Sequence, residues 1–391
     1  MTISIDRPAI PGADDLATGR PAAGTPYAYR PLVPRIVGVG TSATPTSYTQ
    51  REVLDTFRIT DPKIRGVFLN SAIDRRHLTL PPEDPDGVRL SEPQGDLLDK
   101  HKALAIEMGA EALRACLKRA GAELSDLRHL CCVTSTGFLT PGLSALLIRE
   151  LGIDRHCSRS DIVGMGCNAG LNALGVVSGW ATAHPGELAV VLCAEACSAA
   201  YAMDSTMRTA VVNSLFGDGA GAIALTAEAE TADDAAADGT DAAPEGPGVL
   251  KFASCIIPEA LDAMRYDWDR DQGRFSFFLD PQIPYVVGAH AELTVDRLLQ
   301  GTGLRRSDIK HWLVHSGGKK VIDAVIVNLG LTRHDLRHTV GVLRDYGNVS
   351  SGSFLFSYER LLDEQITAPG DYGVLMTMGP GSTIETALVR W

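Results

Sequence analysis

The sequence predicts an α/β protein made from two copies of one unit, with helices packed against sheets. Stretches with helical periodicity at 99–120, 141–151 and 168–183 alternate with short runs rich in Val, Leu and Cys at 129–134 and 188–194. That alternation is the signature of helices laid on a sheet. A decapeptide also recurs. GAELSDLRHL at 121–130 aligns Gly121, Ser125, Asp126 and His129 with Gly303, Ser307, Asp308 and His311 of GLRRSDIKHW at an offset of 182. Finally, 391 residues at 45% hydrophobic exceed what one ordinary domain buries.

Residues 1–30, rich in Pro, Ala and Gly, read as a loose arm. Arg35–Gly40 reads as a buried strand running into a loop. An N-terminal half is expected over 31–240 and a C-terminal half over 248–391. Between them AEAETADDAAADGTDAAPEGP at 227–247 has too little apolar surface to pack and reads as a solvated linker. At the same offset GCNAG at 166–170 falls on NVSSG at 348–352. Each half is expected to end in a glycine hairpin followed by an apolar ladder, GDGAGAIAL at 217–225 and GPGSTIETAL at 379–388. A duplication about a pseudo-twofold axis brings the Cys167 region close to those of His315 and Asn348.

Composition excludes several classes. The net charge is −12 and no run of Lys or Arg is present, so nucleic acid is not an expected partner. The first residues lack a basic segment followed by an apolar one, and no stretch reaches the roughly 20 apolar residues of a membrane span. A cytoplasmic protein with free thiols is therefore expected. The eight cysteines form no CxxC pair and no Cys/His cluster of zinc spacing, so no metal is expected.

Three positions carry chemistry. Cys167 in IVGMGCNAGL stands where a glycine turn becomes a helix, and free N–H groups and the helix dipole there favour thiolate. It is either a nucleophile or a packed cysteine like the other seven. His315 in WLVHSGG ends a strand, where α/β proteins place ligands. A neutral imidazole there can accept the thiol proton and donate to a thioester oxygen; a His satisfied by backbone bonds is the alternative. Asn348 in DYGNVSSG is either a helix cap or an amide donor aimed at the same oxygen. GDGAG lacks the Lys of a phosphate loop. Lys63, Arg65, Arg75 and Arg76 are either phosphate contacts or a solvated face, and Phe275, Phe277 and Phe278 read as core.

GMGCNAG, HSGG, YGNVSSGS and MGPGSTIE, in this order and spacing, resemble the type III polyketide synthases, relatives of chalcone synthase. The likeness runs from about residue 35 to the C-terminus. It implies a thiolase-like, five-layered αβαβα sandwich from two duplicated halves, and a homodimer. It implies a Cys167–His315–Asn348 triad acting on coenzyme A thioesters, with no metal or redox cofactor. It places gatekeeper phenylalanines at Phe216 and Phe277 and a coenzyme A-contacting segment near Lys63 and Arg65, with Gly317 and Gly318 in the substrate site. Thr140 stands where plant members carry a Met that reaches into the partner's cavity. Cys197 and Ala200 replace two cavity threonines, which argues against a plant-type aromatic starter. Long stretches such as MRYDWDRDQGRFSFFLDPQIPYVVGAH resemble a bacterial branch that makes a 3,5-dihydroxyphenylacetyl product for glycopeptide antibiotics. Eight carbons correspond to four malonyl-CoA units, with C8 of the tetraketide attacking C3. An initiating ketoacyl synthase and a non-catalytic subunit of the same fold are the rival readings.

Overall fold

The computed structural model describes residues 32–201, 203, 206–229 and 246–391. The expected arm at 1–30 and most of the expected linker lie outside the described residues. Thirteen strands follow in chain order: β1 Leu32–Ser42, β2 Ser47–Thr49, β3 Arg75–His77, β4 Leu127–Val133, β5 Ser158–Ile162, β6 Leu188–Glu195, β7 Gly219–Ala229, β8 Gly248–Ile256, β9 Met264–Asp269, β10 Arg274–Leu279, β11 Ile309–Val314, β12 Tyr372–Gly379 and β13 Thr383–Arg390. Nine of them join in the order β11-β12-β13-β8-β1-β7-β6-β4-β5, while β2 with β3 and β9 with β10 form small ribbons.

The duplication is visible in that order. Read outward from the centre, β1-β7-β6-β4 and β8-β13-β12-β11 repeat the same path, and β1 meets β8 through the single register pair Arg35↔Gly248. In both halves the innermost three strands are antiparallel neighbours, and the outer pairs β4–β6 and β11–β12 are parallel. Parallel neighbours need a crossover helix, which accounts for the alternation seen in the sequence. Helices Ala169–Ala183 and Ser353–Glu364 pack against strands of both halves, while Gln94–Arg119 covers the N-terminal half and Ile283–Leu299 the C-terminal one. These are the five layers of a thiolase-like αβαβα sandwich.

The central layer explains the sequence of its helices. Ala173 and Val177 of the first and Phe354, Leu355 and Tyr358 of the second share one buried cluster with Leu313, Leu375 and Ala387. The two helix starts touch: a Cβ on Gly170 would lie 2.4 Å from the carbonyl oxygen of Ser351. Only glycine permits that approach.

Three expectations need correction. The short 3-10 turns before the two central helices, Gly166–Asn168 and Ser350–Gly352, start at 166 and 350. That offset is 184, so Cys167 sits opposite Ser351 by element rather than Val349. The second is the N-terminal glycine hairpin. GPGSTIE does turn tightly between β12 and β13, but β6 and β7 are joined by a long excursion carrying short helices Cys197–Ala200 and Ala210–Leu215. The glycines of GDGAG serve close packing: a Cβ on Gly217 would meet the Tyr346 carbonyl oxygen at 2.3 Å, and one on Gly221 would meet Leu355 at 2.9 Å. Third, residues 227–229, assigned to the linker, continue β7 against β1. No helix among the described residues is long and apolar enough to cross a membrane.

Candidate active site

The site forms where segments following β5, β11 and helix Arg337–Tyr346 converge. Cys167 lies on the 3-10 turn ahead of the first central helix and is 8% exposed. Gly166, at φ 69°, turns the chain there, and Pro380 of the β12–β13 turn packs over it. His315 follows β11; its N–H donates to the Met376 carbonyl (2.8 Å), and its own carbonyl accepts from Gly317 N–H (2.8 Å). Asn348 follows helix Arg337–Tyr346 and left-handed Gly347. Its N–H donates to Leu215 O (2.9 Å) and its carbonyl accepts from Gly217 N–H (3.0 Å), so Phe216 and Asn348 share one backbone frame.

All three side chains line one cavity of about 610 Å³. Phe216, Phe277, Gly317 and Gly318 line it too. Phe216 and Phe277 meet edge to face with centroids 6.0 Å apart. Of the three phenylalanines read as core, only Phe277 is buried; Phe275, two residues along the same face of the β9–β10 ribbon, is 49% exposed because it stands nearer the turn of that ribbon, against Trp268 and Tyr266. Four other assigned residues do not line this cavity. Cys197 lies in a smaller cavity of about 40 Å³ on the other side of Phe216. Thr140 is exposed on a surface loop. Lys63 is exposed, and Arg65 turns back to the Ile59 carbonyl (2.9 Å) and Asp55 (3.4 Å). The mouth is instead bordered by Val67, Asn70 and Ser71 just downstream, and by Lys319 and Lys320.

The electrostatics revise the expectation of a resting thiolate. Burial pushes the Cys167 thiol up to about 12; the contact with Ser350 Oγ at 3.5 Å works against this, and nearby Glu195 adds to it. Burial likewise lowers His315 to about 3. Desolvation thus outweighs the helix start, and the site pairs a neutral thiol with a neutral imidazole. His315 Nδ1 is buried with no partner among the described residues. The Asn348 side-chain oxygen accepts from Ser350 N–H (2.8 Å). That bond makes Asn348 a local cap and leaves its amide N–H groups as the unspent donors, so the two readings of this residue are compatible.

Sequence reasoning missed Glu195 and Tyr201. Glu195 is fully buried at the end of β6 and accepts from Ser135 N–H (2.8 Å), Thr136 Oγ1 (3.1 Å) and Ser351 Oγ (2.5 Å). The signal was present as a single acid closing an otherwise apolar strand, LAVVLCAE. Tyr201 stacks on Phe216 at 4.2 Å and gave no sequence signal beyond being aromatic.

Two α/β repeats meeting over a buried cysteine define the thiolase-like class of enzymes. Residues 41–229 match the family model "Chalcone and stilbene synthases, N-terminal domain" and residues 253–391 the corresponding C-terminal domain. The chain belongs to that family, the type III polyketide synthases, and is a malonyl-CoA-dependent acyltransferase. It is 79% identical over 391 residues, all of this chain and 98% of the other, to a 3,5-dihydroxyphenylacetyl-CoA synthase of Streptomyces toyocaensis. A synthase of the same name from Amycolatopsis orientalis is 76% identical over 359 residues, 92% of this chain and 94% of that one. Among solved structures, PKS-I from the brown alga Ectocarpus siliculosus superposes with a TM-score of 0.83 at 25% identity, covering 93% of this chain and 99% of that one. The 1,3,6,8-tetrahydroxynaphthalene synthase of Streptomyces coelicolor gives 0.79 at 26%, covering 91% and 99%.

Proposed function

We propose that this chain condenses four malonyl-CoA units into 3,5-dihydroxyphenylacetyl-CoA, the aromatic precursor of dihydroxyphenylglycine in glycopeptide antibiotics. The observation that carries the reading is the identity of 79% over the whole chain to a synthase of that product. The convergence of Cys167, His315 and Asn348 on one cavity supports it.

Neutral His315 takes the Cys167 proton as the sulfur attacks the thioester carbonyl of malonyl-CoA, and passes it to the departing coenzyme A thiolate, so the Cys167 thiolate need exist only during attack. With the acyl group on sulfur, a further malonyl-CoA places its thioester oxygen against the Asn348 amide and the His315 ring. Loss of carbon dioxide leaves an enolate, which those donors stabilise. The enolate carbon attacks the acyl-cysteine carbonyl and the C–S bond breaks; Cys167 then attacks the lengthened coenzyme A thioester and releases coenzyme A. The first malonyl unit also loses its carboxyl as carbon dioxide, so four units leave an eight-carbon chain. After the last extension C8 attacks C3, water is lost, and enolisation gives the dihydroxyphenyl ring. The carbanion comes from the malonyl group itself, so the reading assigns no metal or redox cofactor.

A homodimer belongs to this reading. Phe138, 72% exposed, and Val163, 55% exposed, flank the Thr140 and Cys167 loops as an apolar surface that a second copy would cover. The test is mass analysis of products from purified protein and malonyl-CoA alone. The eight-carbon aromatic product is expected from the wild type and none from Cys167→Ala. Product from Cys167→Ala, or a different product from the wild type, overturns the reading.

A further inference from the structure

We infer that a second pocket, lined by Arg58, Arg89 and Arg274, is a binding site for a small carboxylic acid with an apolar body. The pocket measures about 260 Å³ and lies between the 56–58 turn, the 81–92 loop and the start of β10.

Arg274 is the anchor. It is 7% exposed, and the one side-chain bond recorded for it is Nη1 to Ser91 Oγ at 3.1 Å. No carboxylate among the described residues pairs with it. The acids nearby are engaged elsewhere: Glu83 with Arg89 (2.7 Å), Glu92 with Lys100 (2.5 Å) and Asp269 with Arg208 (3.9 Å). A buried guanidinium without a counter-charge is costly to maintain, and an anion arriving beside it removes that cost. Arg89 adds a buried Nε that has no protein partner. Arg58, held at φ 51° with Nη2 on the Asp86 carbonyl (3.0 Å), adds a third guanidinium at the rim. The planar fork of arginine suits a carboxylate. Phe57, Val88, Leu90 and Met203 supply an apolar wall, which favours an acid with an apolar body over phosphate.

The pocket also shares walls with the surroundings of the catalytic cavity. Phe57, Pro81, Glu92 and Met203 line both it and the 40 Å³ cavity of Cys197, which Phe216 separates from the Cys167 cavity. An acid released from the product thioester by hydrolysis is the aryl carboxylate that the enzyme itself would supply to these arginines. Only this identity of the acid rests on the proposed function; the anion site rests on Arg274.

Calorimetric titration of the full chain with 3,5-dihydroxyphenylacetate, phenylacetate and inorganic phosphate tests the inference. Both aryl acids are expected to bind wild type and Cys167→Ala alike, and to weaken about tenfold or more in Arg274→Met and in Arg58→Gln. Arg58 is exposed, so its variant decides the matter should Arg274→Met not fold. No binding to wild type, or binding unchanged in Arg58→Gln and in a folded Arg274→Met, overturns the inference, as does phosphate binding as tightly as the acids. A chain that makes another product yet binds aryl acids through these arginines would sink the proposed function and leave this site standing.

Discussion

Replacing His315 with Gln should flatten the acid limb of the protein's stability. The native imidazole is 2% exposed, and burial holds it down at about 3 against an ordinary value of 6.5. A native value below the unfolded one means that the unfolded chain takes up the proton first. The His315 contribution is therefore intact above about pH 6.5 and is lost as pH falls from there towards 3. At about pH 5 the unfolded imidazole is almost fully protonated and the native one almost fully neutral, so the native state loses roughly 2 kcal/mol relative to about pH 7.5. By about pH 3 the loss approaches roughly 4 kcal/mol. Burial also lowers His101, to about 4, so the wild type loses more than this in total. The background cancels when the two proteins are compared. Urea unfolding of wild type and His315→Gln, at fixed protomer concentration and at both of the higher pH values, should show the variant losing about 2 kcal/mol less on acidification. Equal losses would mean that His315 titrates normally. Burial would then not hold the native imidazole below its ordinary range, and the desolvated pairing of His315 with Cys167 would fail with it.

Two other substitutions read different links of the same chain. Phe277→Ala removes a ring that is 5% exposed and meets Phe216 at 6.0 Å, so thermal unfolding should register a loss of about 3 kcal/mol, the low end for buried Phe because the ring already borders a cavity. Its products, analysed by mass, should shift away from the single aromatic compound. Gly347→Ala demands φ 74° of a residue with a Cβ and drives that atom to 2.5 Å from Leu215 O, so it should cost several-fold more stability than Gly121→Ala and lower turnover by displacing Asn348. Gly121 has φ 64° and open space, which limits its cost to about 1 kcal/mol; equal effects of the two would show that backbone hand alone, not contact with the 215 loop, matters.

The parts of the molecule that were legible in the sequence are those whose physics is local or periodic. Helix Ala169–Ala183 declared itself by apolar spacing, β6 by an unbroken apolar run, and the β4/β11 correspondence by a repeated decapeptide. The expected helix at 99–120 begins earlier, at Gln94, because its first turn carries polar residues that apolar periodicity does not register. The GDGAG segment misled because glycine serves tight turns and close packing equally well, and only the approach of Leu355 and Tyr346 tells them apart. The resting charge of Cys167 was illegible for a related reason. The helix start is written beside the cysteine, but the desolvation that overrides it comes from residues distant in sequence, among them Phe216, Leu215 and Ile283 in the same buried cluster.

That reversal bears on why the duplication matters to the chemistry. Each repeat delivers a turn and a helix start to the centre, but the two are not used alike. The N-terminal copy presents Cys167; the C-terminal copy has Ser351 at the matching place and presents Asn348 three residues earlier, its oxygen spent on Ser350 N–H and its amide donors left over. His315, from the C-terminal repeat's β11, joins them in the cavity. In the proposed mechanism one half thus supplies a nucleophile that is protonated at rest, and the other supplies the neutral groups that receive its proton and hold an oxyanion. A thiol that burial keeps protonated wastes little on stray electrophiles. On the proposed mechanism it becomes reactive when a thioester occupies the cavity and its developing oxyanion meets those donors. Substrate binding and nucleophile activation are then a single event, which is what an enzyme carrying a reactive polyketide through successive extensions requires.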